Sequence, residues 1–181
     1  MLKNYIHSLQ EIADKIDQDI LKRAIKIINS TIKKNNKIFI CGNGGSAAIA
    51  SHALCDWVKR LFPKKICRMY DLTSNGPFIS AISNDIGHDD IFSHQLKILS
   101  KKNDICIFIS SSGNSKNIIK GIKYAKKKGI KTIAVVGFKG GTAKKFADIS
   151  IHFKTNTYEH HEDLSQILMH YFYLKLREIK N

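Results

Sequence analysis

Two short stretches carry the side chains with which this chain could hold a ligand: CGNGGSAAIASH at residues 41–52 and SSSGNS at residues 110–115. The second places the hydroxyls of Ser110, Ser111, Ser112 and Ser115 around one glycine within six residues. At a strand-to-helix junction, such a loop surrounds the positive end of a helix with hydroxyl and backbone N–H donors. That is chemistry suited to a phosphate dianion. A helix N-cap alone needs one polar side chain, such as Ser112 or Asn114, and four hydroxyls exceed that need. No lysine follows in the Walker manner, which argues against a nucleoside triphosphate. The first stretch invites a dinucleotide reading, but Ala47 holds the third glycine position of G-x-G-x-x-G, and Asp71 is a weak match for a ribose-binding acid. A small phosphorylated ligand fits better: the glycines turn the strand tightly, Ser46 offers a hydroxyl, and the alanines let the helix pack close beneath.

These loops need strands to end at them and helices to leave them. KIFIC (37–41), KICRMYDL (65–72), DICIFIS (104–110), GIKTIAVVG (129–137) and DISIHF (148–153) are short apolar runs bounded by polar residues, and they read as five strands. Helical spacing links them: Ser46 to Leu61 after the first glycine turn, FISAISND and DIFSHQLKILS before the third strand, a Lys- and Ile-rich segment after SSGNS, a short piece after Gly140-Gly141, and a closing helix from Glu159 to Ile179. Residues 2–34 carry Ile6, Leu9, Ile12, Ile16, Ile25, Ile28 and Ile32 at helical spacing, with a break near Asp17 to Asp19. Apolar strands alternating with helices imply a parallel sheet covered on both faces, with ligands beyond the carboxyl ends of the strands where the strand order reverses.

The chain has 181 residues and 43% apolar content, enough for one domain with a real core. No apolar run is long enough to span a membrane and the N-terminus is no signal peptide, so a cytoplasmic protein is expected. The irregularly spaced cysteines at 41, 55, 67 and 106 read as buried thiols rather than a zinc knuckle or disulfide framework. Thirty Lys and Arg against fifteen Asp and Glu give a formal charge of +15. The basic residues fall in short groups at helix ends without interleaved aromatics. They read as a solvated surface, not a nucleic-acid or membrane face.

GNGGSAA and ISSSGNS, with SNDIGHDDIFSHQ between them, resemble the sugar isomerase (SIS) domain and, within it, the sedoheptulose 7-phosphate (phosphoheptose) isomerases. The likeness spans nearly the whole chain. It implies an α/β, three-layer, flavodoxin-like fold: a five-stranded parallel sheet in a single domain, 1–181, whose N-terminal helices, 1–34, pack at the interface of a cytoplasmic homotetramer. It implies conversion of sedoheptulose 7-phosphate to D-glycero-D-manno-heptose 7-phosphate through an enediol, for lipopolysaccharide or capsule. Carried over by position, Ser46, Ser110, Ser111, Ser112 and Ser115 would bind phosphate, Asn43, Gly44 and Asp85 would contact the sugar, and Arg60 would match a substrate-contacting arginine. Members of the family use a His and a Glu one turn apart in the first helix after the sheet begins, and a His in the last helix; several bind zinc through these groups and a Gln. Here the corresponding residues are His52, Asp56, His170 and Glu162, a candidate zinc set in which Asp56 stands for Glu and Glu162 for Gln. Asp56 or Glu162 would be the base and His170 the proton shuttle. Glu162 and His170 are eight residues apart, roughly 12 Å along a helix axis, so both would have to lean toward a shared point. His160 and His161 have no fixed role in the family pattern and read as an exposed helix start. The resemblance also admits an isomerase of another heptulose or hexulose phosphate. A third reading is a non-catalytic phosphosugar sensor like the DnaA-initiator-associating proteins, a group that lacks the last-helix His.

Overall fold

The computed structural model describes residues 1–179. Two helices, α1 (Leu2–Ala13) and α2 (Gln18–Lys33), precede the sheet, with Asp17 capping α2 through the Asp19 backbone N–H. The strands are β1 (Lys37–Gly42), β2 (Arg68–Asp71), β3 (Ile105–Ser110), β4 (Lys131–Val136) and β5 (Ile149–His152). Between and after them come α3 (Gly45–Leu61), α4 (Gly76–Asp85), a 3₁₀ turn (His88–Asp90), α5 (Ile91–Leu99), α6 (Lys116–Lys127), α7 (Gly141–Phe146) and α8 (Tyr158–Glu178). All strand pairs are parallel, in the order β2-β1-β3-β4-β5. The second strand is shorter than its apolar run because it pairs on one side only, opposite Lys37 to Ile40.

Strand side chains alternate between two cores, as the period of two requires. Ile38, Ile40, Ile107 and Val135 pack under α2, α3 and α8, whereas Phe39, Cys41, Phe108 and Val136 pack under α5 and α6. Every residue of β3 is buried, as expected for a central strand covered on both faces. Strand order reverses between β1 and β3, so the crevice predicted for a ligand opens between the ends of these two strands. Cys41, Cys67 and Cys106 are buried, and burial pushes the Cys67 thiol up to about 12. Cys55 departs from the expectation: it lies on the outer side of α3, away from the buried Ala53 and Trp57. No helix among the described residues is long and apolar enough to cross a membrane.

At the opposite end of the sheet, Asp148 ties β4 to the start of β5. It accepts from the Thr132 N–H and hydroxyl, each at 2.9 Å, and pairs with Lys126 at 3.0 Å. Burial raises its carboxyl, but the Thr132 and Lys126 bonds outweigh burial and hold it below the usual carboxylate value. A depressed folded-state value means stabilisation that is present above the unfolded value of 3.8 and lost as pH falls through the folded one. Asp148→Ala orphans the N–H of the fully buried Thr132 and should cost about 1–3 kcal/mol at pH 7. In urea unfolding the gap from wild type should narrow below pH 3.8.

Candidate active site

Where β1 ends, Gly44 takes φ +54°, a conformation that suits glycine, and the chain turns directly into α3. Where β3 ends, Gly113 at φ +65° does the same for the serine loop, and an added Cβ there would lie 2.1 Å from the Gly140 carbonyl oxygen. The two loops face each other across a cavity of about 270 Å³. Asn43, Gly44 and Ser46 line one wall and Ser110, Ser111, Ser112 and Ser115 the other, with Tyr158 and Glu162 of α8 closing the side. The first turns of α3, α6 and α8 all reach this cavity, so three positive helix ends meet where an anion would sit. Ser110 Oγ accepts the Gly113 N–H and Ser112 Oγ the Asn114 N–H, both at 3.2 Å, which leaves both hydroxyl protons for a ligand. The Gly140-Gly141 turn is part of the support: Asn114 Oδ1 accepts the Thr142 N–H at 3.0 Å, and the Gly113 carbonyl accepts the Ala143 N–H at 2.8 Å.

Asn43 is held by a reciprocal amide pair with the buried Asn117, 3.0 Å in each direction, and His88 Nε2 lies 3.2 Å from the Asn117 amide. The SNDIGHDD segment thus reaches the site through His88. Asp85 is exposed at the end of α4, paired with Asn84, and does not line the cavity.

The second group lies further along α3. His52 Nε2 is 3.3 Å and His170 Nε2 3.1 Å from Asp56 Oδ2, and the two imidazole nitrogens are 3.1 Å apart. Four ligands about 2.0–2.1 Å from a tetrahedral zinc are about 3.3 Å from one another. These three edges match, and among the described residues His52, Asp56 and His170 form the group that can hold a metal ion. Glu162 is not brought into it. Two turns up α8 from His170, its carboxylate sits over Gly45, where a Cβ would lie 2.3 Å from Oε1. Arg60 donates to Asp56 Oδ1 at 2.9 Å and likewise does not line the cavity. Burial of Asp56 raises its carboxyl, but Arg60 above all, then His52 and His170, outweigh burial and hold it below the ordinary carboxylate range.

Three residues were missed in the sequence. Gln166 reaches within 3.2 Å of His170 Nε2, one turn before it on α8. Trp57, fully buried, donates its indole N–H to the Met169 carbonyl at 3.0 Å and fixes α3 against α8. His161 is fully buried rather than exposed, bonded through Nδ1 to Ser111 Oγ at 2.9 Å. The signal was available: Leu164, Ser165 and Leu168 follow His161 at i+3, i+4 and i+7, a stripe that is buried throughout.

A five-stranded parallel sheet with phosphate-gripping loops at its switch point defines a class, and residues 3–137 match the SIS domain. The chain belongs to the SIS-domain family. Similar proteins include the phosphoheptose isomerase of Helicobacter pylori strain P12, 36% identical over 83% of this chain and 74% of that one. The probable phosphoheptose isomerase of Thermoplasma acidophilum is 44% identical over 67% of each chain. The structure of the phosphoheptose isomerase GmhA from Neisseria gonorrhoeae superposes with a TM-score of 0.89 at 25% identity, covering 99% of this chain and 100% of that one.

Because Trp57 sets the spacing of the two helices, Trp57→Phe should cost about 1–3 kcal/mol in urea unfolding, from the lost hydrogen bond and the smaller ring. Phosphosugar turnover should fall by more than the folded fraction does.

Proposed function

We infer that this chain is a phosphoheptose isomerase, converting sedoheptulose 7-phosphate to D-glycero-D-manno-heptose 7-phosphate, the heptose that feeds lipopolysaccharide or capsule. One observation carries the reading: a phosphate-shaped cavity and a His-Asp-His cluster lie at successive points along the same two helices. The serine loops take the phosphate, with Ser46 opposite Ser110, Ser111, Ser112 and Ser115. Asn43, held by Asn117, meets the sugar hydroxyls beside Gly44.

Ketose-to-aldose conversion needs a base for the C1 proton and an acid that supplies the O2 oxygen, followed by return of a proton to C2. Asp56 is our assignment for the base. Its neighbours keep it ionised at neutral pH, as a base must be, although the same contacts weaken its pull on a carbon-bound proton. His170, 3.1 Å from that carboxylate, is placed to move protons between O1 and O2. Arg60 and His52 hold Asp56 in place from either side. Glu162, the other candidate base, lies beside the phosphate loop, and we assign it to accept hydrogen bonds from sugar hydroxyls. Zinc held by His52, Asp56 and His170 would polarise the substrate carbonyl. The exposed Leu2 and Ile6 on α1 suit that helix to an interface in a homotetramer.

Discontinuous measurement of aldose formed from sedoheptulose 7-phosphate, with added zinc or with a chelator, is the test. Turnover supports the assignment, and none at all, with the sugar phosphate still bound, would reject it. His170→Ala should lower kcat on the order of 10²–10⁴-fold while binding survives, and normal turnover would remove His170 from the mechanism. Asp56→Asn should be as damaged, whereas Glu162→Gln should stay within about tenfold of wild type. Ser111→Ala should raise KM with kcat little changed.

A further inference from the structure

Behind the serine loop, on its side away from the cavity, the interior holds an imidazole that the chemistry above does not use. His161 is fully buried, as is Ser165 one turn later on α8. Its Nδ1 lies 2.9 Å from Ser111 Oγ and its Nε2 3.4 Å from Ser165 Oγ. The end of β4 makes room for it: a Cβ on Gly137 would come within 2.9 Å of the His161 ring and 3.1 Å of the Ser111 carbonyl oxygen. The Phe153 ring meets the imidazole edge-on at 6.1 Å between centroids. Burial pushes His161 down to about 4, so the ring is neutral near pH 7 and adds no charge to the site.

An imidazole in an apolar interior loses its hydration, and an aromatic hydrocarbon would fill the same volume without that loss. What the imidazole adds is a polar atom aimed at one particular hydroxyl, the one whose oxygen faces the phosphate cavity from the end of β3. Ser110 and Ser112 are steadied by backbone N–H groups of their own loop, whereas Ser111 is steadied from a different element, the first turns of α8.

We propose that His161 is a positioning residue for phosphate: its bond to Ser111 Oγ fixes the rotamer in which that hydroxyl meets the ligand, so that Ser111 is ordered before binding. The proposal rests on the sugar-phosphate reading of the cavity. A serine rotor already held loses no freedom when the ligand arrives, and the gain is read in affinity rather than in the chemical step.

The test uses purified full-length His161→Phe, His161→Asn, Ser111→Ala and the Phe/Ala double variant. The readouts are the dissociation constant for inorganic phosphate by calorimetry and the separate kcat and KM for sedoheptulose 7-phosphate. His161→Phe should weaken phosphate binding and raise KM about tenfold with kcat within about twofold. His161→Asn, whose amide reaches the Nδ1 position, should recover most of the loss. The double variant should bind phosphate no more weakly than Ser111→Ala alone, because His161 acts through that hydroxyl. Wild-type phosphate affinity in His161→Phe, or losses that add in the double variant, would overturn the proposal. If His161→Phe does not fold, His161→Gln replaces it: its amide reaches the Nε2 position instead, and binding equal to that of His161→Asn would overturn the proposal too. Wild-type protein that binds phosphate but leaves the heptulose unchanged would reject the isomerase reading and leave the role of His161 to be decided by the binding data. Wild-type protein that binds no phosphate would overturn both.

Discussion

The indole N–H of Trp57 donates to the Met169 carbonyl, and the arrangement of the site depends on the helix pairing that this bond secures. With Glu162 over Gly45 and His170 beside Asp56, α3 and α8 run in the same direction, both starting at the phosphate cavity. Parallel helices are unfavourable neighbours for their dipoles, since like ends meet. Here the repulsion is put to use, because the positive ends converge where an anion is to be bound. The same interface carries the carboxylate and imidazoles inward at fixed depth. Ridge packing and one hydrogen bond therefore set both the electrostatics and the geometry of the site.

Charge is handled differently at the two ends of that helix pair. At the cavity, the groups offered to the ligand are neutral hydroxyls and N–H dipoles, with Glu162 the one anion at the edge. Further along, formal charges are matched at close range, Asp56 lying between Arg60 and two histidines. The excess of lysine lies outside both. A protein of formal charge +15 surrounds itself with positive potential, which raises the local concentration of phosphorylated metabolites without any lysine entering the cavity.

Much of this was legible in the residues. Strand runs such as DICIFIS and the break at Asp17 fixed the element order, because burial on both faces of a parallel sheet and a capping aspartate leave direct marks on composition. The phosphate loops were legible because four hydroxyls in six residues exceed what capping needs. Tertiary partners were not. Nothing local says that Arg60 meets Asp56 rather than open space, that Glu162 stops at Gly45, or that His161 turns inward to Ser111, since each depends on how far α8 slides along α3. A helix position is a direction only once its neighbour is known. His161 is the instructive case: its i+3, i+4 and i+7 partners placed it in the core, but its residue type suggested the surface.

The straight run of α3 from the phosphate loop to the imidazoles also acts as a gauge. From Ser46 to His52 the helix rises roughly 9 Å, and the extended distance from a C7 phosphorus to C1 is of a similar size, roughly 8–10 Å by ordinary bond lengths. A sugar one carbon shorter, anchored by the same phosphate, would bring its C1 up short by about one bond projection, roughly 1.3 Å. A displacement of that order costs on the order of a hundredfold in a proton transfer. The backbone pitch of one helix would then count carbon atoms with no wall at the far end of the site.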